Sequence, residues 1–581
     1  MSKFENPWSS FRLPGVKDLA SSISVRRRQE GSPQSKNPVR MPTTRAAIFK
    51  PTLGDDDDVQ AMWLGHASVY LRIPLPGGQS PSVSLGDKCR PVTEGRSSIG
   101  VLFDPVFSKR CSPVSWLGPK RRLKLPCCIQ DLPVVNVVII SHDHYDHLDR
   151  KTIKEIERSH GRTAQYFVPT GVKKILVKFG VPAFKVHELA WWEEVVLPIS
   201  TMMGDTPDGE ARPKNRKESA WSSDSCAVPG VDEMIHMIVS PDGKSQPTSV
   251  GTEECVDLSP IGVGSEDLFT PNSRFHCVGS NHDVSNISQD QPDILDGVLG
   301  EKSRSAFLRL ASTPAQHNSG RTPFGQNKTL WASWYLNYWV EGSARSHDQD
   351  FRCFFGGDTG YRSIAIGDSR ETCPAFREIR AKYGSPDLIL LPIAAGSVLP
   401  YLSSLLPGSI KLDHYKLTSS IHASPRDALD MHADLTEPES EFDTEGDGDD
   451  EGDNEADEKL GRGWGWMMPI HYATFASRAD TKDTSVQLEM ACRERGVRHE
   501  WMESGLRDPG TKSMVVTHPE QVVVDPISGK GAEEDGEKCI NEAGGLSPEL
   551  AVTTKVTGNG GVLVSDVGVE ISIPLRRNSP F

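Results

Sequence analysis

The eleven cysteines of this 581-residue chain include no Cys-x-x-Cys pair, and apart from the neighbours Cys127 and Cys128 they are scattered. No signal-peptide pattern opens the sequence. Both absences point to a reducing compartment rather than a disulfide framework. Nor does any stretch approach the roughly 18–20 consecutive apolar residues that span a bilayer, so membrane contact is expected to be peripheral. Hydrophobic residues make up only 36% of the chain, against 51 Gly and 42 Pro, which predicts a large share of loop or disorder. Basic residues are missing altogether from Glu437–Glu458, which holds 13 acidic ones; without it the formal charge moves from -15 to -2. The charge balance therefore excludes no partner.

Residues 1–58 read as a disordered, basic, Ser-rich arm with Arg26-Arg27-Arg28 as a small cluster. A presequence or a lipid-facing arm is an alternative, weakened for the first by Glu5, Asp18 and Glu30. Order is expected from Val59 to Asp525. Apolar segments 61–73, 98–107, 134–140, 166–169, 305–313, 328–338, 351–355, 387–392 and 464–471 read as strands. Helices are expected at 153–157, 171–179 and 425–435. Two segments interrupt this domain: a polar insertion at 202–304 and the acidic one at 437–458. Residues 526–581 read as a weakly ordered tail, apart from an alternating, strand-like 561–574. Strands with intervening helices indicate an α/β protein.

The densest chemistry is Ser141-His142-Asp143-His144-Tyr145-Asp146-His147, placed directly after the β-branched run Val134–Ile140. Imidazole and carboxylate are the ligands that zinc and similar cations prefer, and the mouth of a sheet is where α/β sites sit. In an extended segment His-x-His puts two imidazoles on one side. His317, Asp358 in Gly356-Gly357-Asp358, and His471 each follow an apolar strand in the same way. With the first cluster they make a two-metal centre.

These residues carry a resemblance. The His-x-His-x-Asp-His pattern at His142, His144, Asp146 and His147 is similar to that of the metallo-β-lactamase superfamily. Further segments resemble, within it, the phospholipase D family that hydrolyses N-acylphosphatidylethanolamine: Trp63–Ala67, Asp104–Ser108, Gly118–Arg121, Trp191–Glu194, Thr313–His317, Leu330–Trp334, Gly357–Tyr361 and Ile470–Phe475. The resemblance implies an αββα four-layer sandwich with disordered insertions and termini. It implies two zinc ions per chain, one on His142, His144 and His317, the other on Asp146, His147 and His471, with Asp358 between them. Asp146, Asp358 and His422 would be the catalytic residues, His422 as a histidine near the substrate that positions it or protonates the leaving group. His66 reads as a structural, hydrogen-bonding histidine beneath the site, and Trp191, Trp192, Trp331 and Trp334 as core.

The implied reaction releases an N-acylethanolamine and phosphatidic acid from a membrane phospholipid, by an intracellular enzyme held peripherally on a cytoplasmic or mitochondrial membrane. Ala394–Leu412, and Val114–Leu117 beside Lys120, Arg121, Arg122 and Lys124, are candidate membrane contacts. No nucleic-acid partner is expected, and a homodimer is left open. The rival readings are a lactonase or nuclease of the same fold, and a membrane-associated metal-binding scaffold.

Overall fold

The computed structural model describes residues 3–25, 39–49, 53, 58–75, 98–114, 116–199, 305–322, 324–341, 350–364, 371–396, 398–405, 410–437, 465–502, 554–555 and 560–573. Two short elements, α1 (Val16–Ser22) and β1 (Ile23–Val25), open the chain. Next come β2 (Val59–Gly65), β3 (Ser68–Pro74), β4 (Ser98–Phe103), β5 (Val137–Ile139), β6 (Gln165–Pro169) and β7 (Val186–Leu189). Strands β2 to β4 form an antiparallel meander, and β4 to β7 run parallel. Helices α2 (Arg150–His160) and α3 (Lys173–Phe179) are the crossovers that parallel strands require.

A second sheet starts with β8 (Glu194–Pro198), β9 (Ser305–Thr313), β10 (Ser333–Glu341) and β11 (Asp350–Phe355), all antiparallel. It continues in parallel through β12 (Leu388–Pro392) and β14 (Trp466–Ile470), the short β13 (Ile410–Leu412) pairing instead with β1. Helices α4 (Ala375–Tyr383), α5 (Val398–Ser404), α6 (His414–Thr418), α7 (Pro425–Thr436) and α8 (Arg478–Arg495) join these strands.

Alternation along the strands decides the layers. Ala61, Trp63, Val137 and Ile139 face the inter-sheet core with Trp334, Phe355 and Leu390, whereas Met62, Leu64, Val138 and Ile140 pack on Ile153, Ile156 and Leu176 of α2 and α3. On the far side Phe376, Leu429 and Leu488 cover the second sheet from α4, α7 and α8. The central strands are thus buried on both faces, which is why they read as unbroken apolar runs. Each such Leu, Ile or Phe contributes about 1.5–3 kcal/mol. The result is the expected αββα sandwich. Trp331 and Trp334 are core, with Trp191 and Trp192 packed at its edge.

Two expectations need correction. Within the supposedly disordered 1–58, Trp8 stacks on Trp191 with centroids 5.5 Å apart, α1 follows, and β1 pairs with β13. These pieces are too short to show periodicity, and tertiary contacts hold them. Within the tail 526–581, the strand-like stretch 561–574 does form strands, and β17 (Gly561–Ser565) inserts between β14 and β15 (His499–Met502). The tail's β16 (Thr554–Lys555) and β18 (Glu570–Ile573) extend the first sheet beyond β2. So the tail supplies strands to both sheets, with Val562, Leu563, Ile571 and Ile573 buried. Finally, Cys111, Cys127, Cys353, Cys373 and Cys492 are free and buried, but the half-buried Cys128 is disulfide-bonded. The insertion 202–304 lies outside the described residues, as does 437–458 beyond Glu437. Among the described residues no helix is long and apolar enough to cross a membrane.

Candidate metal centre

Every ligand candidate stands where a strand ends. After β5 the chain turns through Ser141–His147 before Asp149 caps α2, accepting from the Lys151 amide. His317 follows β9, Asp358 follows β11 and His471 follows β14. Since β11, β12 and β14 are parallel neighbours, their carboxyl ends deliver Asp358 and His471 to one edge. Gly357 makes the turn possible: its φ is +57°, and a Cβ there would lie 2.5 Å from that of Ser141.

The first group is three imidazoles. His142 Nε2 lies 2.8 Å from His144 Nδ1, and His317 Nε2 is 3.2 and 3.3 Å from these two atoms. Nitrogens bound to one tetrahedral zinc at 2.0–2.1 Å would be roughly 3.3 Å apart. The remaining ring nitrogens are held from behind, His317 Nδ1 by the Ile421 carbonyl at 2.8 Å and His142 Nδ1 by Ser141 Oγ at 2.9 Å. Burial and neighbouring imidazoles keep His142 and His317 well below the ordinary histidine range, so both present lone pairs.

The second group is His147, Asp146 and His471, with Asp358 between the two groups. Asp358 Oδ2 is 3.0 Å from His147 Nε2, and 3.7 and 3.9 Å from His317 and His142 Nε2; its Oδ1 is 2.9 Å from His471 Nε2. His471 Nε2 is 3.9 Å from Asp146 Oδ2. Among the described residues the buried His147 Nε2, His471 Nε2 and Asp358 Oδ1 make no hydrogen bond of good geometry, although both nitrogens stand close to the Asp358 carboxylate. Orphaned polar atoms are costly inside a protein, and atoms aimed at a common point are the signature of a cation cradle. Burial would lower the His147 pKa, but the Asp358 and Asp104 carboxylates outweigh it and hold it well above normal. For Asp358 burial is outweighed by His147, His471 and His422, and its pKa stands well below normal. The proton on His147 therefore occupies a place that a divalent cation would take.

All seven predicted ligands are brought together. His422 lies beside them, its Nδ1 3.6 Å from Asp358 Oδ2 and its ring stacked on His471. Burial holds its pKa near 4. A cavity of about 460 Å³ adjoins the cluster through Gly396 and Ala423, which flank His422; Tyr401, His414, Tyr415 and Arg122 line it further out.

Residues outside the predicted set complete the site. Asp104, at the end of β4, accepts from His147 Nδ1 at 2.6 Å and from the amide and hydroxyl of Ser141. His66 lies 3.2 Å from Asp146. Arg321 donates to the carbonyls of Asp143 and Leu148 and covers the Tyr145 ring, pinning the first ligand loop to the loop after His317. Asp104 ends a strand as the ligands do, and that signal was available in the sequence. Arg321 carries none.

A family profile described as the beta-lactamase superfamily domain matches residues 100–223 and 287–440, across the segments that supply six of the seven ligands. The chain carries a metallo-β-lactamase superfamily domain. An uncharacterized protein of Mycobacterium tuberculosis is 25% identical to this chain over 468 residues, 78% of each. The N-acyl-phosphatidylethanolamine-hydrolyzing phospholipase D 1 of Caenorhabditis elegans is 30% identical over 196 residues, 33% of this chain and 48% of that one. The mitochondrial N-acyl-phosphatidylethanolamine-hydrolyzing phospholipase D of Saccharomyces cerevisiae is 27% identical over 213 residues, 33% of this chain and 43% of that one. This chain thus spans less than half the length of either phospholipase. The superfamily fold and the His/Asp clusters together suit a metal-dependent hydrolase with a binuclear centre.

Proposed function

We propose that this protein is a zinc-dependent phosphodiesterase of phospholipase D type, which cleaves N-acylphosphatidylethanolamine to an N-acylethanolamine and phosphatidic acid. The observation that carries the reading is Asp358 poised between two imidazole groups, in a chain similar to two phospholipases named for that substrate. His142, His144 and His317 would hold one ion and Asp146, His147 and His471 the other, with Asp358 shared. Two such cations, when bound, make water nucleophilic near neutral pH and neutralise charge developing at phosphorus. Asp104, Ser141 and Arg321 keep the ligand loops in place before substrate arrives. His422, its pKa lowered by burial to about 4, is suited to orient the substrate by hydrogen bonding as a neutral imidazole.

The lipid would reach the site from a bilayer surface. Trp116 is 74% exposed beside the exposed Lys120, Arg122 and Lys124, and the 105–130 segment contains six basic residues and no acidic one. On α5 and just beyond it Val398, Leu402 and Leu405 are exposed too. Arg122 and the opposite side of α5 border the same cavity. Apolar side chains beside cationic ones match the boundary of an anionic membrane, on a cytoplasmic or mitochondrial face.

The test is purified protein, assayed for metal by mass spectrometry and offered N-acylphosphatidylethanolamine, a lactone and a tRNA precursor in parallel. Two zinc ions per chain and release of N-acylethanolamine from the lipid are expected. Turnover of the lactone or the RNA alone would replace the phospholipase reading with one of its superfamily rivals.

A further inference from the structure

One buried histidine touches both Asp146 and His471 of the second ligand group. His66 stands at the tip of the β2–β3 hairpin in a left-handed conformation, φ +55°, directly after Gly65 at φ +100°. A non-glycine residue there costs on the order of 1 kcal/mol and persists only where its surroundings fix it. Here they do. The His66 amide donates to Thr474 Oγ1 at 2.6 Å. Its carbonyl accepts from the Trp63 indole at 2.7 Å and from the His471 amide at 2.9 Å. The His66 ring lies 4.2 Å from that of His471, centroid to centroid, and Phe475 closes its other side edge-on at 5.0 Å.

From this fixed position Nε2 meets Asp146 Oδ2 at 3.2 Å. An ionised carboxylate can only accept, so the proton of the pair sits on His66 Nε2. The backbone of His471 is strained in the same way, at φ +62°, and it is tied to His66 directly. One residue thus sets the carboxylate of Asp146 through its side chain and the backbone of His471 through its carbonyl.

We propose that His66 is a positioning residue for the second cation, holding Asp146 and His471 at the spacing the ion needs while making no bond to it. The proposal rests on the reading of Asp146, His147 and His471 as one half of a two-metal site. Groups that orient metal ligands typically change affinity by about 10–100-fold when removed.

The test compares full-length wild type with His66→Met, His66→Gln and His66→Phe, each loaded with zinc. Metal content is read by mass spectrometry, and release of each ion is followed with a chromogenic chelator. Gln carries an amide N–H at the reach of Nε2, Met has the same length without it, and Phe keeps the ring's packing without it. Wild type should hold two ions. H66M and H66F should release the second about 10–100-fold faster, H66Q within a few-fold of wild type, and all four should release the first alike. Wild-type release of the second ion from H66F, or release from H66Q as fast as from H66M, overturns the proposal alone. Wild type that takes up no second ion overturns the two-metal reading with it. If H66M does not fold, the contrast between H66Q and H66F decides the matter.

Discussion

The Asp104 carboxylate and the His147 imidazole stand 2.6 Å apart, Oδ2 to Nδ1, with both side chains closed off from solvent. This pair fixes which nitrogen of His147 faces the ligand cluster. With Nδ1 committed to Asp104, Nε2 is left 3.0 Å from Asp358. Asp104→Asn keeps the volume but puts an amide, with its own protons, against Nδ1. Metal affinity should fall about 10–100-fold, measured by equilibrium competition against a chelator. An unchanged constant would show that Asp104 does not orient its neighbour.

The N-terminal arm bears on the other half of the centre. Asn6 Nδ2 donates to the His317 carbonyl at 2.7 Å, and Ser10 Oγ donates to the buried Gln316 side chain at 2.5 Å. Gln316 in turn donates to the Ser420 carbonyl, two residues before His422. Trp8, stacked on Trp191, anchors the segment. Trp8→Ala should therefore destabilise the protein by about 1–3 kcal/mol, read from urea midpoints at constant slope. A loss under about 0.5 kcal/mol, the range of ordinary surface changes, would place the arm outside the cooperative unit.

The contrast between these two residues explains what was legible in the sequence. His142, His144, Asp146 and His147, and the separate His317, Asp358 and His471, could be read because each follows a strand whose apolar run is visible in one dimension. His66 reads as a hydrogen-bonding histidine beneath the site and Asp104 also follows a strand, but their partners, a carboxylate and a ring, are ones that only the folded chain brings near. Trp8 and Ser10 sit among Pro, Ser and Gly with no periodicity, because tertiary contacts alone order them. The tail strand β17 was visible as alternation at Gly561–Ser565, yet its place between β14 and β15 was not, since parallel pairing skips long stretches of chain. Even β5 is shorter than its apolar run: Val134 turns its carbonyl to the Tyr70 hydroxyl, and the Asn136 side chain accepts from the Gly100 amide.

Acid should destabilise the metal-free protein well above the carboxylate range. Burial holds His66 near 3 and His422 near 4, against an ordinary 6.5. Both stay neutral when folded, while the unfolded chain takes up their protons below about pH 6.5. Their contribution is present above that value and is lost as pH falls toward 4 and then 3. His147 has the opposite sign: its raised pKa stabilises fully below 6.5, so it stays constant through the same window. The pair His66 and His422 alone should cost roughly 3 kcal/mol between pH 6.5 and 5. Urea denaturation of chelator-treated protein at the two pH values measures this, and equal stability would contradict the depressed values.

Membrane docking gives the last expectation, and it separates approach to the lipid from chemistry on it. Trp116 and Leu402 belong to segments far apart in sequence that border one cavity through Arg122 and Tyr401. Each buried side chain of this size contributes about 1.5–3 kcal/mol to transfer from water. The double variant Trp116→Ser, Leu402→Ser should bind vesicles containing anionic phospholipid at least tenfold more weakly in a sedimentation assay. Hydrolysis of a short-chain, monomerically dispersed substrate should be unaffected, because neither residue touches the ligand cluster. Raising the salt concentration should weaken binding of the wild type as well, since Lys120, Arg122 and Lys124 are exposed charges and exposed charges are screened. Vesicle binding that survives both substitutions would move the docking surface elsewhere on the molecule, while loss of short-chain turnover would show that these residues shape the site itself.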